Sequence, residues 1–259
     1  MIKKKIRSFV RSKSWLGIIL PVGLILIWQL ASNLELINAS LLPSPARIWR
    51  SLVKQAESGK LAVNILVSLR RVLVGYALGA SLGIVIGIIT GLSKTATKIV
   101  SVLFELIRPI PIIAWVPVLI LWTGIGETSK IIVIMIGTFW TVYLNTSDGI
   151  RNVDRKYVEV SKIFLKSKKI EITKVMFPAA LPGIFTGLRV GVGSAWISVI
   201  GAELIAASAG LGFMISYYRE MAQPSTMFAG VLVVGVIGFL INVILRRVEK
   251  RVLKWNTVK

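Results

Sequence analysis

The amino-acid sequence predicts an all-α membrane protein with six transmembrane helices. Hydrophobic residues make up 55% of the 259 residues, whereas soluble domains average about 45–50%, and the mean hydropathy is +0.78. These residues are gathered into runs of roughly 20, the length that a helix needs to cross the hydrocarbon core of a bilayer. Six runs occur, at residues 15–33, 64–92, 99–122, 131–147, 183–206 and 227–245.

The first run follows a basic segment at residues 1–14, so a cleaved signal peptide has to be considered. Its apolar part is long, and no small-x-small cleavage motif follows Leu34. We therefore expect this run to remain as a membrane anchor. Residues 43–63, which come next, combine apolar and basic faces and predict an external amphipathic helix that lies on the membrane or helps to dock a partner protein.

The second and third runs contain residues that control helix packing and helix breaks. Glycines recur every four residues in the second run, a spacing that lets a neighbouring helix approach closely in lipid. These glycines are Gly75, Gly79, Gly83 and Gly87. In the third run, Pro109, Pro111 and Pro117 are predicted to break the helix. Because a broken helix exposes backbone polar groups, we expect this span to bend beside protein or a wet cavity.

Charged residues inside spans are rare and usually face a cavity or a partner. Four positions matter for this question, namely Glu105, Arg108, Arg189 and Glu203. Glu105 and Arg108 could pair along one helix face, because they are three residues apart. Arg189 is close enough to the cytoplasmic face to extend its charge to the interface. The resulting candidates for lining a polar path are Arg108, Pro109, Pro111 and Glu203.

Lysine and arginine are distributed unevenly between the segments that connect the spans. If the N-terminus is inside, the inside segments carry 22 basic residues and the outside segments carry six. The inside segments are 1–14, 93–98, 148–182 and 246–259, and the outside segments are 34–63, 123–130 and 207–226. Because cytoplasmic segments are enriched in Lys and Arg, both termini and the loop 148–182 are predicted to be cytoplasmic.

The composition excludes several classes of function. Without Cys or His, the chain has no disulfide, thiolate nucleophile, zinc site or imidazole catalyst. The formal charge of +21 does not indicate a nucleic-acid partner, because the basic residues flank apolar runs and mark topology. The fragment nearest to a phosphate-binding loop, Ser58-Gly59-Lys60, lacks the preceding glycine and the following hydroxyl residue. We expect neither an enzyme nor a nucleic-acid-binding protein.

The cytoplasmic segment Tyr157–Gly183 is longer than a simple connector. At 100° per residue, an apolar face and a charged face separate on a short helix. The apolar face holds Tyr157, Val160, Ile163 and Phe164. A second basic turn follows, and Phe177-Pro178 and Leu181-Pro182 are predicted to stop the helix before the fifth span. The short helix could lie in lipid headgroups or dock in a groove of a soluble partner, and its periodicity favours neither.

This segment resembles the cytoplasmic loop signature of permease subunits of binding-protein-dependent ABC importers. The signature reads Glu-Ala-Ala, three residues, Gly, nine residues, Ile-x-Leu-Pro. Glu159 matches its Glu, and Val160 and Ser161 stand for the alanines. Leu165 stands where the family has glycine, and Val175-Met176-Phe177-Pro178 occupies the closing element.

Five ordered blocks extend the resemblance to the branch that serves nitrate, bicarbonate, taurine and aliphatic sulfonates. They are LLPSPARIW (41–49), SLRRVLVGYALG (68–79), RPIPIIAWVPVLILWTGIGETSKI (108–131), FPAALPGIFTGLRVGVGSAWISVIGAEL (177–204) and GLGFMI (210–215).

The resemblance implies a type I ABC importer permease-like fold, with one transmembrane permease domain over residues 1–259, in a bacterial cytoplasmic (inner) membrane. It implies no cofactor, because a separate ATPase subunit binds ATP. The implied partners are this ATPase, an extracytoplasmic substrate-binding protein, a second permease copy in a homodimer and membrane lipid. The implied coupling residues are Glu159, Val160, Ser161, Ile163, Phe164 and Pro178.

The function expected from the resemblance is to form the translocation path for a small anion, such as a sulfonate, taurine, nitrate or bicarbonate. The alternative is a self-powered secondary carrier or channel, in which residues 157–178 form only a membrane-surface helix. Such carriers commonly contain inverted repeats, and the two halves of this sequence show no similarity. A membrane enzyme would need paired acids, His or Cys at a pocket, whereas Glu105 and Glu203 are far apart in the sequence.

Overall fold

A computed structural model of the protein describes residues 16–163 and 167–252. Within these residues the chain is helical, with short connections and no β-strand. The helices are α1 (Leu16–Asn33), α2 (Pro45–Glu57), α3 (Lys60–Leu92), α4 (Lys94–Ile107), α5 (Trp115–Thr123), α6 (Glu127–Arg151), α7 (Arg155–Ile163), α8 (Phe177–Ala206), α9 (Leu211–Glu220) and α10 (Pro224–Val252).

Four helical stretches in the described chain are long and apolar enough to cross a membrane. They are α3, α6, the stretch Lys168–Glu220 that contains α8, and α10. Helices α4 and α5, with the 3-10 turn Ile112–Ala114 between them, count as a fifth span if the bent pair crosses as one. The first predicted span corresponds to α1, whose apolar part Ile19–Asn33 is shorter. The all-α membrane fold is confirmed, and the count of six spans stays a prediction.

The predicted glycine row of α3 packs against α6. A Cβ atom added to Gly75 would lie 2.6 Å from Cβ of Ile134, and one added to Gly87 would lie 2.7 Å from Cβ of Thr146. Side chains larger than hydrogen do not fit at these distances, so glycine permits the close helix approach. The close packing predicted from the glycine spacing is therefore confirmed.

Helix α6 also packs along α8 through small residues. Cβ atoms added to Gly183 and Gly187 of α8 would lie 2.9 Å from Cα of Gly149 and 2.7 Å from Cβ of Asn145. Between α3 and α8, the α6 side chains of Ile134, Thr138 and Val142 have no exposed surface. Helix α6 is thus the buried centre around which these spans pack.

The third predicted span is broken, as its prolines predict. Helices α4 and α5 meet at an angle of 80°. Arg108 caps α4, and Pro109 and Pro111 occupy the break before the 3-10 turn. Proline has no N–H to donate to the preceding turn, which ends the helix here. Pro117 does not contribute to the break, since it lies in the first turn of α5, where N–H groups have no intrahelical acceptor.

The prediction that two prolines stop the helix before the fifth span is wrong. From Lys168 the chain remains helical through the turn Lys168–Ile170 and the π-helix Glu171–Met176 into α8. Pro178 lies in the first turn of α8 and Pro182 lies inside the helix. At the junction of the π-helix and α8, the backbone hydrogen bonds change from the i−5 to the i−4 pattern. This change interrupts the row of hydrogen bonds, so Pro178, which has no N–H group, is accommodated there.

Packing divides the chain into two compact units. Unit one comprises the chain up to Leu61 together with Ile215–Leu232, and unit two comprises Ala62–Met214 together with the chain from Val233. In unit one, the side-chain hydroxyl of Ser44 caps α2 by accepting from the backbone N–H of Arg47 at 3.3 Å. This confirms the helix predicted within residues 43–63. The single permease domain over residues 1–259 stays a prediction.

Candidate functional site

A buried network of charged side chains lies at one end of α3 in unit two. The guanidinium of Arg71, which is 3% exposed, donates from Nε to Glu127 Oε2 at 2.8 Å and from Nη2 to Glu127 Oε1 at 2.5 Å. Its Nη1 donates to Glu203 Oε1 at 2.7 Å and to the carbonyl of Ala209 at 2.6 Å. One arginine therefore joins α3, α6, α8 and the connection that follows α8.

The Glu203 carboxylate receives hydrogen bonds from three directions. Besides Arg71, Oγ of Ser68 lies 2.8 Å from both of its oxygens, and the backbone N–H of Gly212 donates to Oε2 at 2.9 Å. The N–H of Leu211 donates in turn to Ser68 Oγ at 2.9 Å. Glu203 is 1% exposed, and a buried carboxylate needs these donors because it has lost its contact with water.

Glycine is required where the connection after α8 passes the carboxylate. Gly210 has a φ of +118°, and an added Cβ atom would collide with the Glu203 carboxyl group. Its N–H donates to Oδ1 of Asn64 at 2.8 Å. Only glycine adopts this backbone conformation at little cost while leaving space for the acid. The network thus fixes the backbone between α8 and α9.

A second basic side chain completes the network. Nζ of Lys130, which is 4% exposed, donates to the carbonyl of Gly126 at 2.9 Å and lies 4.0 Å from Glu127 Oε1. Two basic and two acidic groups thus balance in charge. Because removal of one partner from a buried ion pair typically costs about 3–5 kcal/mol, we expect this network to hold the three helices in register.

Sequence reasoning identified only Glu203 of this network, as a candidate for the polar path. In the structure Glu203 forms an ion pair with Arg71 and accepts a hydrogen bond from Ser68, which indicates a structural role. Arg71 carried a usable signal, since it is a charge inside the second predicted span. Arg189 lies with Nε 3.0 Å from Oε2 of Glu249 in α10, without the alignment of a hydrogen bond, and its expected reach to the membrane interface stays a prediction.

The remaining candidates for the polar path lie at the bend between α4 and α5. Arg108, Pro109 and Pro111 are exposed there. Glu105 is also exposed, and within the described residues it makes no ion pair with Arg108. The guanidinium at the bend is therefore available to a ligand or to a neighbouring chain.

The predicted coupling segment forms α7 and the helical turns that follow it. Tyr157, Val160 and Ile163 are 59%, 50% and 76% exposed and lie three residues apart, on one face of α7. Ser161, which follows Val160, is only 6% exposed, and its Oγ has no hydrogen-bond partner among the described residues. Phe164 and Leu165 lie outside the described residues. An apolar face that no described residue covers is thus present where the sequence predicts it.

Glu159 lines a pocket of about 800 Å³ within unit two. The basic residues around the same pocket are Lys94, Lys98 and Arg151, from α4 and the end of α6. Arg151 Nη2 donates to Thr97 Oγ1 at 2.8 Å. Glu159 thus shares this pocket with positive charges of its own chain, and no described residue forms an ion pair with it.

Metal binding has no support in the described part of the chain, where no group of three or more His, Cys, Asp or Glu residues converges. Arg71 and Lys130 both contact the Glu127 and Glu203 network, so these two carboxylates are already neutralised. Among the described residues, the arrangement provides packing, charge balance and an exposed apolar face on α7.

Known proteins are similar to this chain in sequence and in fold. Residues 83–254 match the family described as "Binding-protein-dependent transport system inner membrane component". The chain is 38% identical over 240 residues to the putative aliphatic sulfonates transport permease protein SsuC of Bacillus subtilis (strain 168), covering 93% of this chain and 87% of that protein. It is 34% identical over 238 residues to the taurine transport system permease protein TauC of Escherichia coli (strain K12), covering 90% and 86%.

Two further comparisons agree with these. The nitrate import permease protein NrtB of Synechocystis sp. (strain ATCC 27184 / PCC 6803 / Kazusa) is 31% identical over 250 residues, covering 93% of this chain and 90% of that protein. An inward-facing crystal form of the MetNI methionine ABC transporter shares the fold, with a TM-score of 0.67 at 17% identity over 76% of this chain and 98% of that chain. The chain therefore belongs to the family of binding-protein-dependent transport system inner membrane components, and it is a transmembrane permease subunit of an ABC importer.

Proposed function

We propose that this permease carries a small anion, of the sulfonate, taurine, nitrate or bicarbonate type, into the cytoplasm. The substrates that SsuC, TauC and NrtB are named for support this class, and each of these relatives aligns with 90% or more of this chain. All three substrates carry a compact oxyanion group that a guanidinium recognises well. The exposed Arg108 at the break of the third span is the residue proposed to meet that group, with Pro109 and Pro111 shaping the path.

The exposed face of α7 is the observation that carries the proposed coupling to a separate ATPase subunit. Tyr157, Val160 and Ile163 form an apolar row on a nine-residue helix, and such rows bind in grooves of partner proteins. Glu159, Ser161, Phe164 and Pro178 complete the proposed coupling segment. Movement of the ATPase is proposed to reach α8 through the helical turns that run from Lys168 through Glu171–Met176 into α8.

The proposed assembly contains two copies of this permease, two ATPase subunits and an extracytoplasmic substrate-binding protein, in the bacterial inner membrane. Apolar side chains exposed on the spans, such as Leu121 and Phe239, support contact with lipid or with the second copy. The distribution of basic residues supports cytoplasmic N- and C-termini. On this topology, residues 34–63 and 207–226 face the exterior and the α7 face points to the cytoplasm.

Uptake into proteoliposomes tests the proposed function. The permease, its ATPase and the binding protein are reconstituted together, with ATP enclosed, and labelled taurine, ethanesulfonate, nitrate and bicarbonate are supplied outside. We expect ATP-dependent accumulation of at least one anion, and none when the binding protein or the ATPase is omitted. Accumulation that persists without the ATPase would overturn the proposal in favour of a self-powered carrier.

A further inference from the structure

We propose that unit one contains an outward-facing binding site for a small oxyanion, built on α2 and the chain around α9. The site is a recess of about 730 Å³ lined by residues of α2, α9 and the following connection, a size typical of small-molecule sites. This inference rests on the proposed function, whose topology places both segments outside. It adds a second site for the transported class of anion besides Arg108.

The lining of the recess is basic. Arg47, Lys54 and Lys60 contribute to it, and the residues that line it include no Asp or Glu. Within the described chain, no carboxylate lies within ion-pair distance of Arg47 or Lys54. A recess with one sign of charge concentrates its field and attracts counter-ions. The bound species is therefore expected to be an anion.

Helix α2 presents these groups along a single face. Arg47, Ser51 and Lys54 recur at spacings of four and three residues, and Gln55 adjoins them. This spacing places them on one side of a helix, while Ile48 is buried on another. The polar stripe faces the recess, so the charges converge on the space between α2 and the segment around Tyr218.

A buried amide supplies the second observation. Gln55 is 8% exposed, and its Nε2 lies 2.8 Å from Oη of Tyr218. The other amide atom, assigned as Oε1, has no hydrogen-bond partner among the described residues. A tyrosine hydroxyl both donates and accepts, so the pair is equally satisfied with the amide turned over. The turned amide offers an unpartnered NH₂ group in a residue that lines the recess, and we expect a small side-chain rotation to let it donate to a bound oxyanion.

The combined groups fit a compact oxyanion better than a protein side chain. A guanidinium, an ammonium and an amide N–H converge with the hydroxyl groups of Ser51 and Thr226, which suits several acceptor oxygens on one centre, as in a sulfonate or nitrate. A carboxylate on a docked binding protein is the competing occupant, and the experiment separates the two.

Equilibrium binding to the permease–ATPase complex in lipid nanodiscs, without binding protein, tests the site. The probes are labelled ethanesulfonate and nitrate, with tetramethylammonium as the cation control. We expect saturable binding of the anions only. Arg47→Gln combined with Lys54→Gln should weaken anion binding by roughly tenfold or more, because two charge-assisted contacts are lost.

Two single variants complete the test. Gln55→Glu keeps the size of the side chain and an acceptor for Tyr218, but it should abolish anion binding by placing a negative charge in the recess. Arg50→Gln is the matched control, since Arg50 is on α2 outside this lining, and it should bind anions within about twofold of the original chain. Thermal unfolding of each complex verifies that the variants are folded.

Absence of saturable anion binding to the original chain, or unchanged binding in the double variant and Gln55→Glu, would overturn the site. Association of the binding protein with the same variants is measured separately. If the variants bind anions normally but bind this protein more weakly, the recess is a protein-docking surface and the anion site is overturned. The uptake assay separates this inference from the proposed function. Anion uptake by the original chain without binding at the recess sinks only the site, whereas failure of all anion uptake sinks the proposed function.

Discussion

Arg71 and Glu203 are 132 residues apart in the chain, yet their side chains meet at 2.7 Å with almost no exposed surface. Both belong to helices that cross the apolar part of the molecule, so neither charge has water as an alternative partner. Removal of one member leaves the other charge buried and uncompensated, which costs about 3–5 kcal/mol in known cases. The pair is therefore expected to be a main contributor to the stability of unit two.

Replacement of one partner should destabilise the permease far more than replacement of both. Arg71→Met should lower the free energy of unfolding by about 3–5 kcal/mol, and the double variant with Glu203→Met should regain part of that loss, because no charge remains buried. Chemical denaturation of the purified permease in detergent measures both. Glu127→Gln is the control: with the side chain of Glu127 61% exposed, its loss should be about 1 kcal/mol or less. Equal losses for Arg71→Met and Glu127→Gln would contradict the assignment.

Substitution of Gly210 should disturb the same network through the backbone. Gly210→Ala places a methyl group against the Glu203 carboxylate at a φ of +118°, so we expect a destabilisation of about 1–3 kcal/mol. Gly193→Ala is the control, because a Cβ atom at this position in α8 meets nothing within 4 Å. The control should be neutral or slightly stabilising. Comparable melting temperatures for the two variants would show that the connection after α8 tolerates a side chain.

Charge introduced into the exposed face of α7 should release the ATPase subunit. Val160→Asp and Ile163→Asp place a carboxylate in the proposed docking row, and loss of one anchor in a small interface can cost about 2 kcal/mol or more. We expect reduced co-purification of the ATPase and loss of transport, although the permease still inserts. Asn152→Asp adds the same charge at an exposed position outside the face and should leave both intact. Full recovery of the ATPase with Val160→Asp and Ile163→Asp would indicate a helix that merely lies on lipid.

Loss of the guanidinium at the bend should impair transport without affecting assembly. Arg108→Ala removes the charge proposed to meet the anion, so we expect several-fold lower uptake with normal ATPase binding. Glu105→Ala tests the competing explanation. Because Glu105 makes no described ion pair with Arg108, its removal should leave uptake near the original level. Parallel losses in the two variants would mean that the residues act together as a structural pair.

Both termini should be accessible only from the cytoplasm. The segments proposed to be inside carry 22 basic residues against six outside, a bias that determines orientation during insertion. A phosphatase reporter, active only outside, and a fluorescent reporter, active inside, are fused after Lys259 and compared. Phosphatase activity at that position would contradict an even number of spans with the N-terminus inside.

Local sequence properties predicted much of the fold. Run length and hydropathy predicted the four long apolar helical stretches, because insertion of a helix depends on the apolar content of about 20 consecutive residues. The spacing of Gly75 and Gly87 predicted close packing, and Pro109 and Pro111 predicted the break. The exposed apolar row of α7 followed from its 100° periodicity. Each of these depends on neighbours within one or a few helical turns.

The tertiary structure decided which partner each polar side chain meets. Glu203 was recognised from the sequence as a charge that needs an explanation, but its pairing with Arg71, Ser68 and Gly212 depends on how α3 and α8 pack. No local sequence pattern predicted the hydrogen bond between Gln55 and Tyr218, which are 163 residues apart. The composition of a span determines that it enters the membrane, because the free energies of transfer of its residues from water to the bilayer add together. The partner of a charge within it depends on helix rotation and approach, which are set by interactions between segments distant in the chain.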